Sequence, residues 1–331
     1  MFLRTVLRVV RYAFHDWTRE MESTRRFVTW TGVVLQGYAF YALWTRSLVW
    51  PARWPSGSAL YVSVCLLYLL GYWITNVMLT SELVRKTQLE SDLIAAQQIQ
   101  RTLQPDDIEP LPGYQVESYY RPFRSVGGDY FDVIDVGDNR TLFALADVSG
   151  KGMPAALLAS NIQALVRSMA DAKPDLPTLA HRVNHHLVRY TPGDRFATAV
   201  FILLTRDSGE LTYVNAGHNP PMIWGSGSTT FLDATGLPLG LFASAGYEAR
   251  AATVRPGDLL VAFTDGLPDS VAGEDPERRL QEALSGKPGS SLANLKRLID
   301  PALNEDDVTM LLVKRAAAET HDAAIPSASG G

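Results

Sequence analysis

A chain of 331 residues, 47% hydrophobic and with a formal net charge of −5, has room for one large domain and a smaller segment, and no long basic run lies outside its N-terminus. That balance argues against a nucleic-acid partner, which needs clustered lysine and arginine to meet phosphates. The single cysteine, Cys65, excludes a disulfide framework within the chain and a cysteine nucleophile in its polar part.

Residues 1–26 form a basic segment in which Arg4, Arg8, Arg11, Arg19, Arg25 and Arg26 precede the first apolar run. Two apolar runs follow, Phe27–Trp44 and Ala59–Leu79, the second uncharged and of spanning length. They read as two transmembrane helices within residues 27–80, joined by a short extracytoplasmic loop containing Trp50, Pro51, Trp54 and Pro55. The arginines hold the N-terminus in the cytoplasm and two spans return the chain there, which predicts a multi-pass protein of the inner (cytoplasmic) membrane with its main domain in the cytoplasm. The long charged segment ahead of the first run argues against a cleaved signal peptide.

Residues 81–104 contain neither Gly nor Pro and are rich in helix formers, so a helical linker is expected. Leu89, Leu93, Ala96 and Leu103, with Gln100 in the remaining core slot, follow a short heptad pattern through which two chains would pair as a homodimer. A solvated linker helix fits the same spacing. Pro105, Pro110 and Pro112 then stop the helix and open a domain spanning residues 105–315.

Within that domain, strands are predicted over Gln115–Arg121, Asp129–Val136, Thr141–Asp147, Phe196–Leu204, Glu210–Asn215, Pro221–Trp224, Thr229–Asp233, Tyr247–Val254, Asp258–Thr264 and Val308–Val313. Helices are predicted over Pro154–Ala170, Leu176–Tyr190, Pro276–Leu284 and Ser291–Leu303. Strands clustered before and after blocks of helices favour a layered α+β domain over a parallel βαβ repeat. Residues 316–331 have too little apolar content to pack and are expected to be disordered.

The chemistry concentrates in the first hairpin. Strict alternation places Asp129, Phe131 and Val133 on one face of its first strand and Phe143, Leu145 and Asp147 on one face of its second. Gly137, Asp138 and Asn139 supply the turn, and a register that sets Val133 opposite Phe143 sets Asp129 opposite Asp147. Two facing carboxylates on an apolar face are costly unless they share a proton or hold a cation, so a metal site or a shared-proton dyad is implied; if the pair sits at solvated strand ends, neither is needed. Asp265 closes the apolar strand of DLLVAFTDG, and Asp306 and Asp307 open that of EDDVTMLLV. Acidic residues at several strand ends, without a His or Cys cluster, suit a hard divalent cation such as Mg²⁺ or Mn²⁺.

The segments VGGDYFD, ADVSGKGMPAALLAS, NAGHNPP, GLPLGL, FTDGLPDS and EDDVTMLLV stand in an order and spacing that resembles the metal-dependent protein Ser/Thr phosphatases of the PPM (type 2C) superfamily, in the bacterial SpoIIE-like branch. The resemblance covers residues 95–315 and implies an αββα sandwich of two packed, mainly antiparallel sheets flanked by helices. It implies two divalent cations, Mn²⁺ or Mg²⁺, about 3.5 to 4 Å apart, activating a bridging water. Carried over by position, Asp129 would bind the second metal, Asp147 would bridge both, Val148 would offer its backbone carbonyl, and Asp265 and Asp306 would complete the first metal's shell. The implied substrate is a phosphoserine or phosphothreonine on a cytoplasmic regulatory protein, an anti-sigma-factor antagonist in this branch.

Other positions are less tightly matched. Asp269 stands where many relatives carry Glu, and Asp307 competes with Asp306 because neighbouring strand residues face opposite ways. His218 in NAGHNPP fits either a proton donor or a residue ordering a Pro-rich turn, and Arg124 fits a phosphate contact or an ordinary surface arginine. SGKG lacks the P-loop spacing, so Gly150 and Gly152 are expected to form the sharp turn into the helix at Pro154. Two other functions share some features: a degenerate domain that only binds a phosphoprotein, and a diguanylate-cyclase-like enzyme suggested by GGDYF, which lacks that motif's fourth-position acid at Tyr130.

Overall fold

In a computed structural model, residues 23–49, 57–105, 108–171, 175–191, 193, 195–225, 228–273, 275–285 and 291–317 are described. The basic N-terminal segment up to residue 22, the loop around Trp50–Pro55 and the tail beyond residue 317 lie outside them. By internal contacts the chain divides into two units, Met1–Asp92 and Leu93–Gly331.

The first unit is built from helix α1, Ser23–Val49, and the first part of α2, Gly57–Leu103. Their contacts run antiparallel. The Gln36 amide donates to Thr75 Oγ1, and Arg25 reaches Glu82 at 3.3 Å. The backbones approach so closely at Gly32 and Gly71 that a Cβ on Gly71 would lie 2.7 Å from the Gly32 carbonyl oxygen, a contact that only small residues permit between two helices. Large apolar side chains such as Phe27, Trp44, Leu66 and Trp73 face outward. Among the described residues one helix, over Val62–Leu103, is long and apolar enough to cross a membrane. The first predicted span does not reach that measure, because Thr29, Thr31, Gln36 and two glycines dilute it.

The second unit contains β1 (Tyr114–Arg121), β2 (Asp129–Gly137), β3 (Arg140–Val148), α3 (Met153–Ala170), α4 (Leu176–Tyr190), β4 (Ala197–Thr205), β5 (Glu210–Ala216), β6 (Met222–Gly225) and β7 (Ser228–Phe231). β8 (Arg250–Thr253), β9 (Leu259–Phe263), α5 (Gly266–Asp269), α6 (Pro276–Leu284), α7 (Ser291–Leu298) and β10 (Val308–Arg315) complete it. One sheet runs β1-β10-β9-β6-β7 and the other β2-β3-β4-β5-β8, with every adjacent pair antiparallel. Phe131, Phe143, Leu145 and Ile202 of one sheet meet Leu260, Ala262, Leu311 and Val313 of the other in the central core. Ile162, Val166, Leu179 and Val183 of α3 and α4 seal the outer face of the second sheet, and Leu280, Leu284 and Leu295 of α6 and α7 seal that of the first. The domain is therefore the expected α+β sandwich with two antiparallel sheets between helices.

The predicted hairpin register is present: Val133 pairs with Phe143, Phe131 with Leu145 and Asp129 with Asp147. Asp138 and Asn139 adopt φ of 53° and 60°, the left-handed pair that a tight hairpin turn of matching twist requires. The SGKG turn delivers the chain into α3 with Pro154 in its first turn, as expected. Two elements fall furthest short of their predicted lengths. α7 stops at Leu298 because Ile299 leaves it to bridge Val271, and β8 starts at Arg250 because Tyr247 instead bridges Gly236.

Candidate metal centre

One end of the sandwich collects acids from four segments. Asp129 opens β2, Asp147 lies near the end of β3, Asp265 caps α5 directly after β9, and the Asp306–Asp307 doublet precedes β10. Asp129 is 2% exposed, and its Oδ2 accepts hydrogen bonds from Thr309 Oγ1 and, at 2.8 Å, from Thr264 Oγ1. Both hydroxyls come from the opposite sheet, so this carboxylate ties the layers together at their acidic end.

Proton affinity is raised at Asp129, Asp147 and Asp265. Burial, followed by the charges of Asp147 and Asp307, pushes Asp129 well above the usual carboxylate range, against the pull of the two threonine hydroxyls. Burial and then Asp265, Asp306 and Asp307 push Asp147 up to about 7. Asp265 stands at the exposed rim, yet the surrounding protein mass and then Asp306 and Asp269 raise it too. The cluster is thus short of positive charge, the condition under which a divalent cation binds hard oxygen donors. Among the described residues no three His, Cys, Asp or Glu side chains stand in a ready-made metal cage. The fit to a cation lies in the all-oxygen donor set and in its mutual repulsion.

The acidic doublet divides its work. Asp307 accepts from the Phe123 amide at 2.7 Å and the Gly128 amide at 2.5 Å, which fixes the loop ahead of Asp129. Gly127 lies within that loop, where a Cβ would collide with Tyr120 Oη and Asp307 Oδ2. Asp306 faces outward, one oxygen accepting from the Asp307 amide at 2.9 Å and the other 3.0 Å from Lys151 Nζ. Val148 is buried beside Gly128, with its carbonyl oxygen 3.1 Å from where a Gly128 Cβ would stand.

The remaining predicted positions are more peripheral. Asp269 is exposed on α5 and acts on Asp265 through its charge, and Arg124 is exposed on the loop preceding Asp129. His218 is 4% exposed, with Nδ1 2.8 Å from Thr198 Oγ1, and its backbone amide donates to Asn215 Oδ1 at 2.7 Å. Burial depresses it to about 4, so it is a neutral imidazole in a tightly bonded turn. Sequence reasoning missed four participants: Lys151, the hydroxyls of Thr264 and Thr309, and Gln100. The Gln100 amide donates to the Gly127 carbonyl at 2.7 Å and accepts from the Gly127 amide at 3.1 Å. The retrievable signals were the lysine inside SGKG and a glutamine in an otherwise apolar heptad slot.

Comparison with known proteins agrees with this architecture. Residues 137–316, more than half of the chain, match the family model of stage II sporulation protein E (SpoIIE). The match takes in Asp147, Val148, Asp265 and Asp306 and begins just after Asp129. Protein IcfG of Synechocystis sp. is 27% identical over 68% of this chain, which spans 41% of IcfG. Phosphoserine phosphatase RsbU of Bacillus subtilis is 25% identical over 69% of this chain and 71% of its own length. Among solved structures, the SiaA-PP2C domain of Pseudomonas aeruginosa superposes with a TM-score of 0.59 at 20% identity, covering 70% of this chain and 98% of that domain. The chain belongs to the SpoIIE family of PP2C-type, metal-dependent protein serine/threonine phosphatases.

Proposed function

We propose that this protein is a membrane-anchored phosphatase that hydrolyses phosphoserine or phosphothreonine on a cytoplasmic regulatory protein, an antagonist of an anti-sigma factor. The observation that carries the catalytic part is the pairing of Asp129 with Asp147 on a buried face, within reach of the charges of Asp265 and Asp306. Two divalent cations, Mn²⁺ or Mg²⁺, would supply a water activated for in-line attack and would neutralise the phosphoryl oxygens. Asp147, Asp129, Asp265 and Asp306, with the Val148 carbonyl, are the residues that would hold these cations, Asp147 being the carboxylate that both would share. Thr264 and Thr309 orient Asp129, and Asp307 positions the loop beside it. The outward side of Asp306 supports its choice over Asp307, whose oxygens are committed to backbone amides.

The membrane part of the reading has both apolar helices crossing the bilayer as an antiparallel pair with both termini in the cytoplasm, supported by the close Gly32–Gly71 approach and the Gln36–Thr75 hydrogen bond. The linker pairs two chains and biases the active site through the Gln100 contact with Gly127. The test is phosphate release from a phosphoserine peptide by the full chain in detergent, with Mn²⁺ and with EDTA. Release that depends on Mn²⁺ is expected. Peptide binding without release would instead favour a degenerate phosphoprotein-binding module.

A further inference from the structure

The turn that follows Asp147 and Val148 also delivers a cation. Lys151 lies between Gly150 and Gly152, whose φ values of 91° and 79° give the turn a backbone conformation that other residues rarely adopt. Its Nζ is 3.0 Å from Asp306 Oδ2, donates to the Glu305 carbonyl and stands 5.2 Å over the Phe123 ring. The ammonium therefore stands against Asp306, one of the acids assigned above to the first cation. The Lys151 and Asp306 side chains are 39% and 36% exposed, so the pair can part without unfolding and is held only weakly.

We propose that Lys151 is a tethered counter-ion. Its ammonium neutralises Asp306 in the metal-free protein and yields that carboxylate when a divalent cation arrives, so metal loading and release of the lysine side chain are one event. The freed ammonium then stands at the mouth of the site, where it can meet an oxygen of an incoming phosphate. Lys151 is in this sense a positioning residue that acts through Asp306. The inference rests on the reading of Asp306 as a metal ligand.

The test is calorimetric titration of the full chain in detergent with Mn²⁺ alone, for the parent, Lys151→Met, Lys151→Arg, Asp306→Asn and the Lys151→Met/Asp306→Asn double variant, with circular dichroism and metal-free melting to establish that each is folded. Lys151→Met should bind Mn²⁺ about five- to tenfold tighter because an internal competitor is gone, whereas Lys151→Arg should stay within about twofold of the parent. Asp306→Asn should weaken binding at least about tenfold, and in that background Lys151→Met should change affinity less than about twofold. Unchanged or weaker binding by Lys151→Met, while Asp306→Asn still weakens it, overturns the counter-ion and leaves the ligand reading standing. Equal tightening in both backgrounds reduces the effect to general repulsion and also overturns the exchange. A parent that binds no Mn²⁺, or whose affinity Asp306→Asn does not alter, removes the ligand reading and the proposal with it.

Discussion

Strand β2 carries two buried aspartates three residues apart on opposite faces, and they meet opposite fates. Asp132, fully buried, accepts from Arg167 Nε at 2.7 Å and from its terminal nitrogen at 3.0 Å, with Tyr130 Oη at 3.3 Å. Asp129 receives two neutral hydroxyls and faces another carboxylate. The protein answers the charge of Asp132 from within and leaves that of Asp129 unanswered. Burial of an acid is thus a poor sign of chemistry by itself; what discriminates is whether the fold supplies the opposite charge.

The harshest test of this contrast is Asp147→Asn. Mn²⁺-dependent hydrolysis of a phosphoserine peptide should fall by at least about three orders of magnitude, roughly 4 kcal/mol of lost transition-state stabilisation. The metal-free melting temperature should stay level or rise as like-charge crowding is relieved, and added Mn²⁺ should stabilise the variant far less than the parent. Full activity in this variant would erase the distinction between the two faces.

Arg167→Ala should show the reverse pattern. Removing the guanidinium strands a fully buried carboxylate, and because the arginine is half exposed the expected cost is about 2–3 kcal/mol, below that of a wholly buried pair. Denaturant unfolding reads the loss, and activity per folded molecule should remain within about twofold.

A buried titratable group other than the acids sharpens the comparison through pH. His218 is held neutral in the fold at about 4 against an ordinary 6.5. Its contribution is complete above about pH 6.5 and is lost as pH falls toward 4, because the unfolded chain takes up the proton first. Between pH 7.5 and pH 5 this amounts to about 2 kcal/mol. The same acidification should destabilise a His218→Gln variant by correspondingly less; parallel curves for the two proteins would reject a neutral buried histidine.

The smallest expected effect belongs to the loop ahead of Asp129. Gln100→Leu removes both hydrogen bonds to Gly127 and leaves Asp307 as the main tether. Mn²⁺ affinity should weaken about fivefold, close to 1 kcal/mol, measured calorimetrically beside the parent.

Much of this site was legible in the sequence because a period of two and a turn with two left-handed residues leave little freedom in a hairpin. The facing of Asp129 and Asp147 follows from those constraints alone. Asp132 was illegible for a related reason: alternation identifies one inward face, whereas this sheet is covered on both, by the other sheet and by α3 and α4. Thr264 and Thr309 carry no signal because threonine suits any strand. α5 has four residues, too few for helical periodicity to register. Lys151 meets Asp306 across 155 positions of chain, a pairing that only the closed sandwich creates.

Asp306 and Asp307 are identical neighbours, which a geneticist would count as a spare and an original. The hydrogen bonds say otherwise. Asp307 could take over the outward role only by releasing the amides of Phe123 and Gly128, which would loosen the loop leading to Asp129. A codon change at either position therefore has no remedy at the other. With Asp306 as the proposed metal ligand, the repeated letter enlarges the target for inactivating mutations where it looks like insurance against them.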